Sequence, residues 1–270
     1  MKRQTSIAIV NDISGFGRCS ITVALPILSA MKIQCGLVPT AILSNHTEFP
    51  DYFLLDFTPY LKDYLEKWNT LALSFDGLYT GFLGSQKQLA AITGMIDCFS
   101  FSKRIIDPVM GDHGVIYPSY TNEMCRSMKH LVTHATLTTP NVTELCLLTD
   151  TPYRKDFTAD EIFVMCKKLA QTGVGQIVVT GIEQGDRIGN AIYEHGQFEI
   201  LYHTRILPLR PGTGDVFASI LAGDSLHDVP LSESVKKASA FIRTCLTTSA
   251  SMEIPIHDGV CFEEHLHLLY

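Results

Sequence analysis

The chain of 270 residues sets 21 Lys and Arg against 28 Asp and Glu, for a net charge of −7, with 46% hydrophobic and 18% charged residues. That apolar share is too high for a disordered chain. A pI near 5.8 disfavours nucleic acid or an anionic membrane as the main partner, because phosphate surfaces select clustered cations.

The one short basic cluster, Lys2-Arg3, reads as solvated terminal charge. No apolar run reaches the ~20 residues that a bilayer requires. The stretch Ile7–Val10 stops at Asn11-Asp12, too soon for a signal-peptide core, so the cytoplasm is the expected compartment. Eight cysteines occur with no C-x-x-C pair, which predicts reduced, mostly buried thiols rather than zinc ligands or a disulfide frame. His265 and His267, beside Glu263-Glu264, read as a solvated helix end rather than a metal site.

In chain order, Ser6–Val10 predicts a strand, Cys19–Met31 a helix and Gly36–Leu43 a strand. Leu61–Asn69 follows as a helix, Gly77–Thr80 as a strand, Gln86–Asp97 as a helix and Arg104–Asp107 as a strand. Asn122–Leu131 predicts a helix and Thr136–Thr139 a strand, before helices near Thr143–Leu148 and Asp160–Thr172 and a strand over Gln176–Thr180. Gly189–Glu194 and Phe198–His203 form a hairpin around His195-Gly196, and helices Asp215–Ser225 and Ser232–Thr248 complete the pattern. This alternation predicts an α/β fold of one domain over residues 1–270, with a mostly parallel central sheet and helices on both faces.

Polar residues gather where these strands end: Asn11-Asp12, Ser44–Thr47, Thr80-Gly81, Asp107, Thr139–Asn141 and Thr180-Gly181. Ligands of open parallel sheets bind outside the carboxyl ends of the strands, so these junctions outline a candidate site. Gly15-Phe16-Gly17-Arg18-Cys19-Ser20 has only a superficial likeness to a dinucleotide fingerprint. Its third position is Ser, and no acid lies between Ile13 and Thr47 to bind a ribose. A flexible substrate-side loop is the better reading. No G-x-x-x-x-G-K-[ST] loop, protein-kinase motif set, G-x-S-x-G elbow or H-E-x-x-H helix occurs.

Gly212-Thr213-Gly214-Asp215 carries the strongest local signal. Its glycines permit a tight turn, and the unpaired N–H groups at the start of the next helix suit phosphate oxygens. Asp215 would stand beside that anion site as a general base, although an acid in a helix first turn also stabilises the helix by itself. Asp107-Pro108-Val109-Met110-Gly111-Asp112 and Thr139-Pro140-Asn141-Val142-Thr143-Glu144 add three acids at neighbouring strand ends. Such acids repel one another unless a cation lies between them, and Mg2+ shared with nucleotide phosphates meets that need. Together the motifs point to phosphoryl transfer.

This set of motifs, with Ser44-Asn45-His46-Thr47 and Thr80-Gly81-Phe82-Leu83-Gly84-Ser85, resembles the pyridoxal kinases of the ribokinase superfamily over nearly the whole chain. The resemblance implies ATP-dependent phosphorylation of the 5′-hydroxymethyl group of vitamin B6 vitamers, with Asp215 as base and Gly212, Thr213 and Gly214 as the anion hole. It implies that Asp107, Asp112 and Glu144 organise Mg2+ and the ATP phosphates. Thr139, Asn141, Thr180 and Thr213 would lie near the nucleotide and a monovalent cation such as K+. It places Asp12, His46, Thr47 and Phe82 around the vitamin, and it implies a homodimer. Two positions depart from the family pattern, both concerned with the ring: Asp12 stands where members carry Ser, and Phe82 where many carry Tyr. The related hydroxymethylpyrimidine kinases usually have Cys in place of Asp215. A catalytically idle vitamin-binding protein would need neither Asp215 nor the other acids.

Overall fold

The computed structural model describes residues 3–270; Lys2, half of the basic cluster noted above, lies outside the described residues. The chain begins with β1 (Ser6–Ser14), α1 (Ile21–Ala30), β2 (Gln34–Leu43), β3 (Leu54–Asp56), α2 (Thr58–Thr70), β4 (Gly77–Thr80) and α3 (Gln86–Cys98). It continues through β5 (Lys103–Ile106), a small hairpin of β6 (Gly111–Asp112) and β7 (Val115–Ile116), α4 (Asn122–Val132), β8 (Leu137–Thr138), α5 (Val142–Thr149) and α6 (Ala159–Ala170). β9 (Gln176–Gln184), β10 (Arg187–Glu194), β11 (Gln197–Thr204), α7 (Thr213–Leu226) and α8 (Leu231–Ser251) close the fold.

Nine strands form one sheet in the order β11-β10-β9-β8-β5-β4-β1-β2-β3. The six from β9 to β2 run parallel, and β3, β10 and β11 add antiparallel edges. Alternation along the strands divides the core between the two faces. Ala8, Val10 and Ile106 face a layer built with α2 to α6, whereas Ile7, Ile9, Tyr79 and Ile105 face α1, α7 and α8. Strands covered on both sides must be apolar at every position, which is why they read as unbroken β-branched runs.

Several boundaries differ from the sequence reading. β1 runs on to Ser14, so Asn11 and Asp12 lie within the strand, where pairing slips between Asn11 (opposite Pro39) and Ile13 (opposite Ile42). That irregularity bends the strand end, and it accommodates buried polar side chains that otherwise suggest a turn. β9 likewise continues past Thr180-Gly181 to Gln184. The two- and three-residue strands β3, β6 and β7 have no apolar periodicity and were not expected. His195 and Gly196 both take positive φ in the β10–β11 turn, the geometry that a two-residue hairpin demands.

Candidate active site

Five adjacent parallel strands, β1, β4, β5, β8 and β9, end on one side of the molecule, and α7 begins there. The turn that starts α7 is fixed by its neighbours. Gly212 has a φ of 81°, and a Cβ at this position would lie 1.9 Å from the Arg18 carbonyl oxygen, so only glycine fits. No side chain caps the helix, leaving its first N–H groups to face the crevice. Thr213 turns its hydroxyl back onto the Arg210 carbonyl at 3.4 Å.

Asp215 lies in that first turn. Its carboxylate accepts from the Asn11 amide at 3.4 Å. Burial, helped by the charge of Asp12, pushes its pKa up to about 6 against the pull of the nearby Ser20 backbone and the Asn11 amide. Sequence reasoning put Asn11 at a strand end of the candidate site but gave it no role. Its Oδ1 accepts from the Phe82 N–H at 2.8 Å and the Asp12 N–H at 3.0 Å, so one buried side chain joins β1, the β4 loop and α7. A Cβ on Gly81 would lie 2.2 Å from the same amide nitrogen, which accounts for the glycine after β4.

Asp12 is buried, and both its oxygens are engaged: Oδ1 accepts from Ser20 Oγ at 2.6 Å and Oδ2 from Ser14 Oγ at 3.0 Å. Burial raises its pKa, and the two serine hydroxyls counteract the rise. This carboxylate ties down the Ser14–Ser20 loop, and that geometry favours loop anchoring over pairing with a vitamin ring. His46 is also buried and committed. Nδ1 accepts from the Glu48 N–H at 3.3 Å and Nε2 donates to the His257 carbonyl at 2.6 Å, so no ring nitrogen is left for a ligand. Thr47 beside it is exposed, and Phe82 is half-buried.

The acids meet only in part. Asp107 ends β5, and its Oδ1 accepts from Thr139 Oγ1 at 3.0 Å. Burial, then repulsion from Asp215, pushes Asp107 up to about 7. Glu144 is buried at the start of α5, where Oε1 accepts from the Met110 N–H at 3.1 Å and Oε2 from the Asn141 N–H at 2.9 Å. Asn141 returns the bond from its Oδ1 to the Glu144 N–H at 3.0 Å, completing a capping box. Burial drives the Glu144 pKa up, with a further push from Asp107 and a smaller one from Asp112. Asp112 itself stands exposed on the small hairpin and accepts from the His113 N–H at 2.7 Å. Thr180 joins this wall through its N–H to the Pro140 carbonyl at 2.9 Å.

Among the described residues, no three His, Cys, Asp or Glu side chains are arranged to hold a metal by themselves. The donors still suit Mg2+, which keeps several waters and shares phosphate oxygens rather than taking an all-protein cage. Asp107 and Glu144, whose pKa values burial and then neighbouring carboxylates raise, would be relieved by such a cation.

The segment after α8 braces this region from behind. Arg210 is buried and donates to the carbonyls of Pro255 at 2.9 Å and Ile254 at 2.8 Å, with longer bonds to Gly259 at 3.4 Å and Ser249 at 3.5 Å. Arg18 shares its Nε–H between the two carboxylate oxygens of Glu263 at 2.7 and 2.9 Å, and its Nη1 reaches the Asp258 carbonyl at 3.1 Å.

Residues 62–258 match the family model described as phosphomethylpyrimidine kinase. The chain belongs to this family. It is 30% identical over 263 residues to a pyridoxine/pyridoxal/pyridoxamine kinase of Bordetella avium, covering 90% of this chain and 86% of the relative. A candidate phosphomethylpyrimidine kinase of Bacteroides thetaiotaomicron, solved with pyridoxal, superposes with a TM-score of 0.94 at 34% identity, covering 99% of this chain and 96% of that one. The pyridoxal kinase of Lactobacillus plantarum gives a TM-score of 0.93 at 26% identity over 98% of this chain and 96% of its own. The chain is therefore a kinase of the vitamin B6 kinase and phosphomethylpyrimidine kinase family, with the ribokinase-like fold.

Proposed function

We propose that this kinase transfers the γ-phosphoryl group of ATP to the 5′-hydroxymethyl group of pyridoxal, pyridoxamine and pyridoxine. The observation that carries this reading is Asp215, held in the first turn of an uncapped helix and facing a wall of uncompensated carboxylates. Asp215 takes the hydroxyl proton as the substrate oxygen bonds to the γ-phosphorus. The bond from that phosphorus to the β–γ bridging oxygen breaks, ADP leaves with the electron pair, and the proton stays on the carboxylate. The N–H groups of Gly212, Thr213 and Gly214 face the charge that develops on the transferred group.

Asp107, Glu144 and the more distant Asp112 would hold Mg2+, directly or through water; bound there, it would neutralise phosphate charge beside the carboxylates. Thr139, Asn141 and Thr180 line the nucleotide side, with room in this reading for a monovalent cation such as K+. Thr47 and Phe82 are the candidates for contact with the vitamin. A homodimer working in the cytoplasm fits the same reading.

The family model's description, phosphomethylpyrimidine kinase, keeps the related hydroxymethylpyrimidine as a second substrate class. Offering pyridoxal, pyridoxamine, pyridoxine and hydroxymethylpyrimidine separately with ATP decides between them. Fast turnover of the three vitamers and slow turnover of the pyrimidine is the expected result. A preference for the pyrimidine would overturn the assignment, and no turnover of any of the four would favour an idle binding protein.

A further inference from the structure

Asn11 is the one side chain among the described residues that hydrogen-bonds the Asp215 carboxylate, from Nδ2 to Oδ1 at 3.4 Å. Three features fix the amide that makes this bond. It is only 1% exposed, so bulk water does not compete for it. Its Oδ1 meets two backbone donors, the Phe82 N–H at 2.8 Å and the Asp12 N–H at 3.0 Å, and only the oxygen end of an amide can accept them. The NH2 end is thereby turned onto Asp215. Gly81 closes the remaining side, because a Cβ there would lie 2.2 Å from Nδ2 and 2.6 Å from Cγ. Phe82 is held on both of its backbone groups, since its carbonyl accepts from Thr40 Oγ1 at 2.9 Å. The bond to Asp215 is long for an N–H···O contact, so it orients the carboxylate more than it stabilises it. It engages Oδ1, whereas Oδ2 accepts no hydrogen bond among the described residues.

We infer that Asn11 is a positioning residue, which fixes the direction of the Asp215 carboxylate and ties that direction to the backbone of Phe82. Oδ1 is anchored, and Oδ2 is presented to the hydroxyl whose proton it takes. A general base has to stand within hydrogen-bond reach of that proton. Here one buried amide sets where the base stands relative to the loop that carries Phe82. The inference rests on the proposed role of Asp215 and adds what aims that group.

Two substitutions disturb the amide in different ways. Asn11→Asp keeps an oxygen for the Phe82 and Asp12 N–H groups but deletes the NH2 donor. Gly81→Ala leaves Asn11 and Asp215 in place, adds no charge and pushes the amide aside. Each should lower kcat about ten- to a hundredfold, with KM for pyridoxal and ATP within about twofold, because a misplaced group costs rate rather than affinity. Rates are taken per folded molecule beside a thermal melt. Should Gly81→Ala fold poorly, Asn11→Ser replaces it, since it removes the donor without adding charge. Thr40→Val frees the Phe82 carbonyl but does not touch the amide, and its kcat should stay within about twofold of the parent. Combining Asn11→Asp with Asp215→Asn should cost no more than Asp215→Asn alone, as both act through one carboxylate. A parental kcat in the Asn11 and Gly81 variants, beside a disabled Asp215→Asn, would overturn the inference and leave the function standing. A loss confined to Asn11→Asp would trace to its added charge, and an equal loss in Thr40→Val to the loop as scaffold; either overturns the inference. A raised KM for pyridoxal with unchanged kcat would overturn it too, by making Asn11 a substrate contact. Near-parental turnover by Asp215→Asn would instead remove the role of Asp215 on which the inference depends.

Discussion

The two ends of the central sheet treat acids in opposite ways. Where the strands begin, three acids each have a cation. Asp76 meets Arg3 at 3.1 Å, Asp228 meets Lys103 at 2.8 Å and Asp224 meets Lys237 at 2.8 Å. Asp76 is held below its ordinary range, its partial burial outweighed by the Ser6 N–H and Arg3, and Asp228 is held low by Lys103. Where the strands finish, Asp12, Asp107, Glu144 and Asp215 form no ion pair among the described residues, and burial raises the pKa of all four. Local compensation at one end makes structure. Its absence at the other leaves a charge imbalance for a ligand to correct, the pattern that perturbed groups in a cleft commonly mark.

The difference predicts that acids at the strand ends matter for rate and those at the strand starts for stability. Asp215→Asn should lower kcat by about 10²–10⁴, the range for losing a positioned base, while leaving the melting temperature unchanged or higher. Steady-state kinetics beside a thermal melt reads both, and a parental rate would erase the distinction between the two ends.

Lys237→Met tests the other end. Asp224 is buried with its second oxygen unpartnered, so losing the lysine strands a charge in the core. Denaturant unfolding should show a loss of up to roughly 3 kcal/mol, with kcat per folded molecule unaltered. A fall in kcat without a fall in stability would count against the contrast.

Titration sharpens the comparison further. As pH falls through the values of about 7 for Asp107 and about 6 for Asp215, protons occupy both carboxylates and the base is lost. The rate, at saturating Mg2+ and substrates, should drop about tenfold per pH unit once a single proton silences the base. Stability without Mg2+ runs the other way. Both groups bind protons more tightly when folded than when unfolded, so their favourable contribution exists at low pH and disappears as pH rises through 6 to 7. Asp107→Asn should therefore leave the melting temperature nearly unchanged at pH 4 and raise it at pH 8. Equal effects at the two pH values would mean that the carboxylate is not under electrostatic stress.

The smallest effect belongs to Lys103→Gln. Its partner Asp228 is largely exposed, and exposed pairs contribute little. Neither rate nor melting temperature should change measurably, in contrast to Lys237→Met.

Much of this division was legible in the chain itself, for reasons that differ by element. Strands buried on both faces, such as Ile7–Val10 and Ile177–Val179, have few alternatives to a β-branched run. His195-Gly196 announces its hairpin through turn chemistry. The edge strand at Leu54–Asp56 and the hairpin at Gly111–Ile116 are too short to generate a period, so nothing local distinguishes them from loop. In the site, Gly212–Asp215 is readable because tight turns and helix starts restrict residue type. The spacing of Asn141 and Glu144 carries a capping signature that sequence reasoning passed over. The couplings of Asn11 to Asp215, of His46 to His257 and of Arg18 to Glu263 join residues more than two hundred positions apart. No local pattern encodes such partners. The His257 carbonyl also commits His46, whose ring a local reading leaves free.

Arg210 holds a positive charge among carbonyl oxygens and forms no ion pair among the described residues. Three of those four oxygens belong to the stretch Ile254–Gly259, which follows α8 and touches neither nucleotide nor vitamin in the proposed reading. Cutting the chain before Ile254 would thus do more than trim its surface. The guanidinium would lose most of its acceptors one residue before Pro211, and Val260, Phe262 and Leu269 would leave the core shared with α1, α7 and α8. A protease nick or a tightly fused tag in this segment would loosen the catalytic loop, a loss easily mistaken for damage at the site itself.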